Sequence, residues 1–356
     1  MLANLTGAGR RDLIVADNLL LKTFVNDGAG HFTLRGSYDI ASRVTFDATT
    51  GDLNADGFDD VVVVHGVPFG QIPTGPPLLT VFLNAGDGTL TRTMYSLPDA
   101  GQTVVLGDLD GDHRPDVLVG ATAGKTYLLQ NLGGGALGAA AALSVDGGLT
   151  AIADMDGDGK QDLIVRGRAL EVQINQGGLI FSEPKFVHVL SSLGLDVQRF
   201  ILVDVDGDAA IDVVMLGHVP MVDPGQRTVE VALNDGTGAL SSVYAAKVAL
   251  TSGGLAVGDL DKDGRPDIVV SGAPITMGGT GQLDLLLATN AGSYAPSSCP
   301  ALVAASGASA VSGNDSLAAG DLNGDGRADL VILRSDGVAV LVSGASSGTP
   351  PSVAAP

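Results

Sequence analysis

Tryptophan is absent from this 356-residue chain, and cysteine occurs once, as Cys299. One thiol excludes an internal disulfide framework and leaves the redox compartment undecided. Aromatic residues are scarce, with nine Phe and five Tyr, whereas glycine is abundant at 51. That balance fits many short strands joined by tight turns. Positive charge is also scarce: 19 Lys and Arg stand against 40 Asp and Glu, a formal net charge of −21. Nucleic acid and anionic membrane surfaces would repel such a chain, so neither is expected as a partner. Residues 285–314 form a long uncharged run, but Ser, Gly and Pro interrupt it, so membrane insertion is not expected. The five histidines are scattered and form no H-E-x-x-H pair, and we expect no enzymatic activity. No signal segment is read before the first repeat.

What is present is a repeat. DLNADGFDD begins at Asp52, DLDGDHRPD at Asp108, DMDGDGKQD at Asp154, DVDGDAAID at Asp204, DLDKDGRPD at Asp259 and DLNGDGRAD at Asp321. Each has the form D-x-[DN]-x-D-x-x-x-D and runs directly into a β-branched segment such as DVVVV, DVLVG or DLVIL. A seventh copy, NLTGAGRRDLIV from Asn4, aligns with DLNGDGRADLVI from Asp321, with Asn4, Thr6 and Ala8 replacing acidic residues. There the loop geometry is expected to persist and the metal to be lost. The copies start 46 to 62 residues apart, which suits one four-stranded propeller blade per repeat. Within a period the sequence predicts a lead-in strand, the acidic loop, the β-branched strand and an alternating run such as LLTVFLN from Leu78 or VEVALN from Val229. A glycine turn (NAGDGTL, NDGTGAL) and a weaker fourth strand complete it. Calling these strands A to D, the acidic loop is the A–B turn. Five of the six residues before it are small (Gly51, Gly107, Ala153, Gly258, Gly320, with Val203 the larger one), as an innermost strand close to its neighbours requires.

The expected fold is therefore all-β: a seven-bladed β-propeller of four-stranded antiparallel blades spanning residues 1–343, with residues 344–356 as a flexible tail or linker. No full strand A precedes Asn4, so the first blade is expected to take that strand from other sequence or from the tail. The Ser-, Ala- and Gly-rich segment 291–316 reads as a long D–A connection.

Oxygen donors at alternate positions of a tight loop, with a further Asp at position 9, suit a hard cation that takes six to eight oxygens in flexible geometry. The predicted calcium ligands are Asp52, Asn54, Asp56 and Asp60; Asp108, Asp110, Asp112 and Asp116; Asp154, Asp156, Asp158 and Asp162; Asp204, Asp206, Asp208 and Asp212; Asp259, Asp261, Asp263 and Asp267; and Asp321, Asn323, Asp325 and Asp329. About six structural Ca²⁺ ions are expected, moving the formal charge to about −9. An EF-hand is excluded, because position 12 holds Val63, Val119, Val165, Met215, Val270 and Ile332 in place of a Glu. Solvated turns alone would not repeat six times with the same final Asp and strand. Position 6 is Gly57, Gly159, Gly264 and Gly326, but His113 and Ala209 stand in the other two loops, and those two sites are expected to be weaker.

These loops, with Gly272, Ala273 and Pro274 after the sixth, resemble the FG-GAP/VCBS repeat family, the propeller type of integrin α-subunit heads and of many bacterial surface proteins. The resemblance covers residues 4 to about 343. It implies a calcium-binding adhesion or recognition module; some relatives are lectins, and some sit in polysaccharide-processing enzymes. Calcium loops of modest affinity imply an extracellular, cell-surface or periplasmic setting.

In an up-and-down blade the B–C connections lie on the face opposite the acidic loops. Three are enlarged, beginning at Gly66, Gly217 and Gly272, and long loops on a rigid scaffold carry recognition. His65, Phe69, His218, Asp223 and Arg227 in or beside them are the candidate contacts for a protein or, as the alternative, a glycan.

Overall fold

The computed structural model describes residues 1–7, 9–16, 20–29, 31–40, 44–66, 76–145, 148–166, 170–186, 196–218, 227–248, 254–272, 282–290, 292–297, 316–334 and 337–343. Seven antiparallel sheets succeed one another along the chain, the architecture of a seven-bladed β-propeller. Two compact units divide them. The first comprises Met1–Asn26 and Phe32–Lys185, the second Asp27–His31 and Phe186–Pro356. A 3₁₀ turn at Thr122–Gly124 is the helical element among the described residues, and no described helix is long and apolar enough to cross a membrane.

The second blade shows the pattern, with strand A at Val44–Gly51, B at Asp60–Gly66, C at Leu78–Asn84 and D at Leu90–Ser96, in that spatial order. Strand B is buried from Asp60 to His65, with Val61 to Val64 at 0% exposure, which is why it reads as a continuous apolar run with no alternation. Strand D lies at the sheet edge and is mostly exposed. Apolar residues of neighbouring blades interleave: Leu53, Val62 and Val81 pack with Val104, Val117 and Leu129 in the first unit. In the second, Val214, Val229 and Val231 pack with Ile268, Val270 and Leu286.

The small residues ahead of the loops answer this packing. A Cβ on Gly107 would come within 2.3 Å of Ile152 Cδ1 in the next blade, and one on Gly258 within 2.7 Å of Ala328 Cβ.

Two sequence expectations are corrected. The first blade has its own strand A, Leu2–Ala3, paired with Asp12–Ala16. Ala3 is fully buried there, and the Met1 amino group donates to Ile14 O at 2.8 Å. Segment 291–316 is not wholly a connection, because Ser293–Ser297 forms strand D of the sixth blade. Tyr294 is buried against Tyr244, their ring centroids 5.4 Å apart, and Pro296 is tolerated on a strand that needs no further ladder bond. The seventh blade shows three strands among the described residues. Residues 344–356 lie outside them.

Candidate metal loops and the residues that brace them

Each acidic loop is a closed system of carboxylate-to-amide bonds. In the Asp154 loop, Asp154 Oδ1 accepts from Gly157 N (2.8 Å) and Asp158 N (3.1 Å), and its Oδ2 accepts from Gly159 N (2.9 Å). Asp156 Oδ1 accepts from Asp158 N, and Asp158 Oδ1 from Lys160 N. These are Asx turns, in which side-chain oxygens replace the backbone acceptors that so tight a bend cannot supply. The bend places positions 4 and 6 in the left-handed region: Gly157 has φ +73° and Gly159 φ +86°. His113 (φ +66°) and Ala209 (φ +73°) adopt the same conformation without being glycine. Their amides still reach the first Asp, at 2.7 Å for His113 N to Asp108 Oδ2 and 2.9 Å for Ala209 N to Asp204 Oδ2.

The ninth residue behaves differently. Asp60, Asp116, Asp162, Asp212, Asp267 and Asp329 are all fully buried. In every copy Oδ2 accepts from the amide of position 2, as in Met155 N to Asp162 Oδ2 (2.7 Å). Oδ1 accepts from an amide at the end of strand C or just beyond it, as in Asn175 N (2.7 Å). Burial pushes Asp60, Asp162 and Asp212 up to about 6, and raises Asp116, Asp267 and Asp329 in the same direction, against the lowering effect of those amide bonds.

Four loops bring three carboxylates together with ligand oxygens within 4.8 Å of one another: Asp108, Asp110 and Asp116; Asp154, Asp156 and Asp162; Asp204, Asp206 and Asp208; and Asp259, Asp261 and Asp263. In the remaining two, position 3 is an amide that donates to the position-5 carboxylate, Asn54 to Asp56 (2.9 Å) and Asn323 to Asp325 (3.1 Å). The donor set is all oxygen and strongly anionic, and each carboxylate oxygen that accepts one amide keeps a second lone pair. Such a set fits a hard divalent cation of the size of Ca²⁺. The first blade keeps the loop without the charge: Leu5 N and Thr6 Oγ1 both donate to Asp12 Oδ2, and Gly7 N to Asn4 Oδ1.

Sequence reasoning read the strand C asparagines only as turn residues, yet they tie the loops together. Asn131 Nδ2 donates to Leu53 O in the preceding blade (2.8 Å) and to Pro115 O (3.0 Å), while its Oδ1 accepts from Gly133 N. Asn84 reaches Leu5 O in the same way, and Asn175 reaches Leu109 O. The recurring N-x-G at the end of strand C was the available signal.

On the B–C side, His65 is enclosed in its sheet at 1% exposure, its Nε2 2.7 Å from Thr80 Oγ1. It is a packed residue and not a surface contact. His218 and Arg227 are half-buried at the ends of strands B and C of the fifth blade. Phe69 and Asp223 lie outside the described residues, as do Ala273 and Pro274. A cleft of about 500 Å³ opens instead on the loop side, between the Asp108 and Asp154 loops, lined by Asp110, His113, Lys160, Gln161 and Gly178 among others.

The FG-GAP-like repeat profile matches residues 70–119, 108–165 and 170–270, and the FG-GAP repeat profile matches residues 313–342. The chain belongs to the FG-GAP repeat family. Among solved structures this FG-GAP propeller is similar to an Agrocybe aegerita lectin described as specifically recognising non-reducing terminal N-acetylglucosamine. The TM-score is 0.58 at 21% identity, over 83% of this chain and 78% of that one. It is also similar to BBS1N in complex with ARL6DN, with TM-score 0.56, 13% identity and coverage of 98% and 92%. Rhamnogalacturonan lyase YesW gives TM-score 0.51 and 16% identity, over 96% and 70%. At these identities the likeness concerns the fold.

Proposed function

We propose that this FG-GAP propeller is a calcium-stabilised, non-catalytic binding or adhesion module that works outside the cytosol, where calcium is abundant. The observation that carries the reading is the recurrence of one loop geometry. Carboxylates held within 4.8 Å of one another, at the end of a rigid buried strand, repel unless a cation sits among them. Asp154, Asp156, Asp158 and Asp162, and their counterparts in the other five acidic loops, would hold the ion. It would supply charge neutralisation and cross-linking of the loop, and no chemistry. A site occupied at a hundred times its dissociation constant adds about 2.7 kcal/mol of stability, so several together match the net stability of an ordinary domain.

The test is metal counting combined with thermal melts in calcium and in chelator. About six calcium ions per chain and a large fall in Tm on chelation are expected; a stoichiometry of zero or one overturns the reading. For the partner, a protein on the B–C face is the first expectation. A glycan is the second, favoured by the cleft beside the Asp108 loop and by analogy with the Agrocybe aegerita lectin. A glycan array in millimolar calcium separates the two.

A further inference from the structure

The six acidic loops share a backbone but differ in the charge placed beside it. In three loops the position-7 side chain turns back onto its own loop: Arg114 pairs with Asp112, Lys160 with Asp158 and Arg265 with Asp263, in each case on Oδ2 of the position-5 carboxylate. In the Asp108 loop, Gln130 Nε2 also donates to Asp110 Oδ2 at 2.9 Å. The Asp321 loop has Arg327 at position 7 and receives a further charge from its neighbour, since Lys262 Nζ donates to Asp325 O, and its position 3 is Asn323. Two loops carry an uncharged residue at position 7, Phe58 in the Asp52 loop and Ala210 in the Asp204 loop; of these two, the Asp52 loop has Asn54 at position 3, whereas the Asp204 loop has four aspartates at its donor positions. Three of these, Asp204, Asp206 and Asp208, already lie within 4.8 Å of one another.

We infer that the position-7 side chain sets the calcium affinity of each loop, acting as a built-in counter-cation, and that the Asp204 loop is the tightest of the six. This rests on the calcium reading above. A lysine or arginine held on one ligand carboxylate places a positive charge a few ångströms from the ion. That charge weakens divalent binding, by about tenfold for one charge near a solvated surface.

The ranking reverses what the sequence suggests, which is that Ala209 makes this loop weak. The left-handed bend is already formed at Ala209, with the same 2.9 Å bond to Asp204 Oδ2 that Gly159 makes to Asp154 Oδ2. Its strain therefore falls on folding and not on ion binding. By the same reasoning the Asp321 loop, with an amide at position 3 and Lys262 on its position-5 carbonyl, is the weakest.

The experiment withdraws calcium from the loaded protein by competition with a chromophoric chelator, on wild type, Ala210→Lys, Ala210→Gln and Lys160→Ala. Bound calcium is counted at each step. Wild type is expected to release its last ion at about tenfold higher chelator strength than its first. Ala210→Lys should lose that tightest class and Ala210→Gln, with a similar stem and no charge, should keep it. Lys160→Ala should add one ion to it, and the differences should shrink in 0.5 M salt, where screening is strong. Several bound ions with the tight class unmoved in Ala210→Lys, or lost equally in Ala210→Gln, overturn the inference while leaving the calcium reading intact. No bound calcium in wild type overturns both.

Discussion

The side-chain amide of Asn131, at the end of strand C of the third blade, donates to the carbonyl oxygen of Leu53 inside the acidic loop of the second, 2.8 Å away. Leu53 is itself buried at 1% exposure and its amide donates to Asp60 Oδ2. One residue of the loop is thus held by its own blade through N–H and by the next blade through C=O. With Asn84 on Leu5 O and Asn175 on Leu109 O, the loops of the first four blades become a braced row.

Replacing Asn131 with Ala leaves the carbonyls of Leu53 and Pro115 without this donor and removes the acceptor of Gly133 N. With each stranded buried group worth about 1–3 kcal/mol, the variant is expected to lose roughly 3 kcal/mol, read from the urea midpoint at fixed calcium. Asn290→Ala, in the corresponding turn of the sixth blade where the residue is exposed, should stay within about 0.5 kcal/mol of wild type. Equal losses in the two variants would remove the bracing role.

Ala209 and His113 hold φ values of +73° and +66°, a conformation that costs an L residue about 1–2 kcal/mol relative to glycine. Glycine gives back part of that gain through the unfolded chain. Ala209→Gly is therefore expected to stabilise the protein by about 0.5–1 kcal/mol, and Gly159→Ala to destabilise it by a similar amount. Opposite signs in a denaturant titration at saturating calcium would show that the loop backbone is not under the strain its dihedrals indicate.

The repeat made the blades legible because the acidic loop and strand B are local: nine residues and a β-branched run can be read without knowing any neighbour. The residue types that depend on another blade were harder to read. Asn131 looked like part of a glycine turn, since its partner Leu53 is 78 positions away. His65 looked like a loop contact because it adjoins a long connection, yet it ends a buried strand and bonds Thr80 across the sheet. Asp162 was read as one metal ligand among four. Its two amide bonds, one from within the loop and one from just beyond strand C, mark it as the residue that fastens the loop to the sheet.

Burial raises Asp60, Asp162 and Asp212 to about 6 in the folded protein, against about 3.9 in an unfolded chain. A raised folded value means the group favours folding fully below pH 4 and loses that contribution as pH climbs through 6. In chelator, stability should accordingly fall between pH 4 and pH 7. Calcium needs the ionised carboxylates, so its protection should grow over the same interval, and the Tm difference between calcium and chelator should widen from pH 5 to pH 8. Asp87, lowered to about 2 by the Thr89 hydroxyl and amide and by Arg35, acts in the other direction only below pH 4, outside this window. A Tm difference that is flat from pH 5 to pH 8 would count against burial of these carboxylates.

Asp12 separates the two roles of the ninth position. It accepts from Leu5 N, Thr6 Oγ1 and Asn26 N at 3.2, 3.0 and 2.9 Å, in a loop whose donor positions hold Asn4, Thr6 and Ala8. It is as buried as Asp162. If fastening the loop to the sheet is independent of metal, Asp12→Ala should cost about 3 kcal/mol through stranded buried amides, and the cost should be the same in calcium and in chelator. Asp162→Ala strands equivalent amides and also removes a donor from an acidic loop, so its cost should be larger in calcium than in chelator. Denaturant midpoints of the two variants under both conditions decide the matter. A cost for Asp12→Ala that vanishes on chelation would mean that the first loop, despite its lost acids, is also held by an ion.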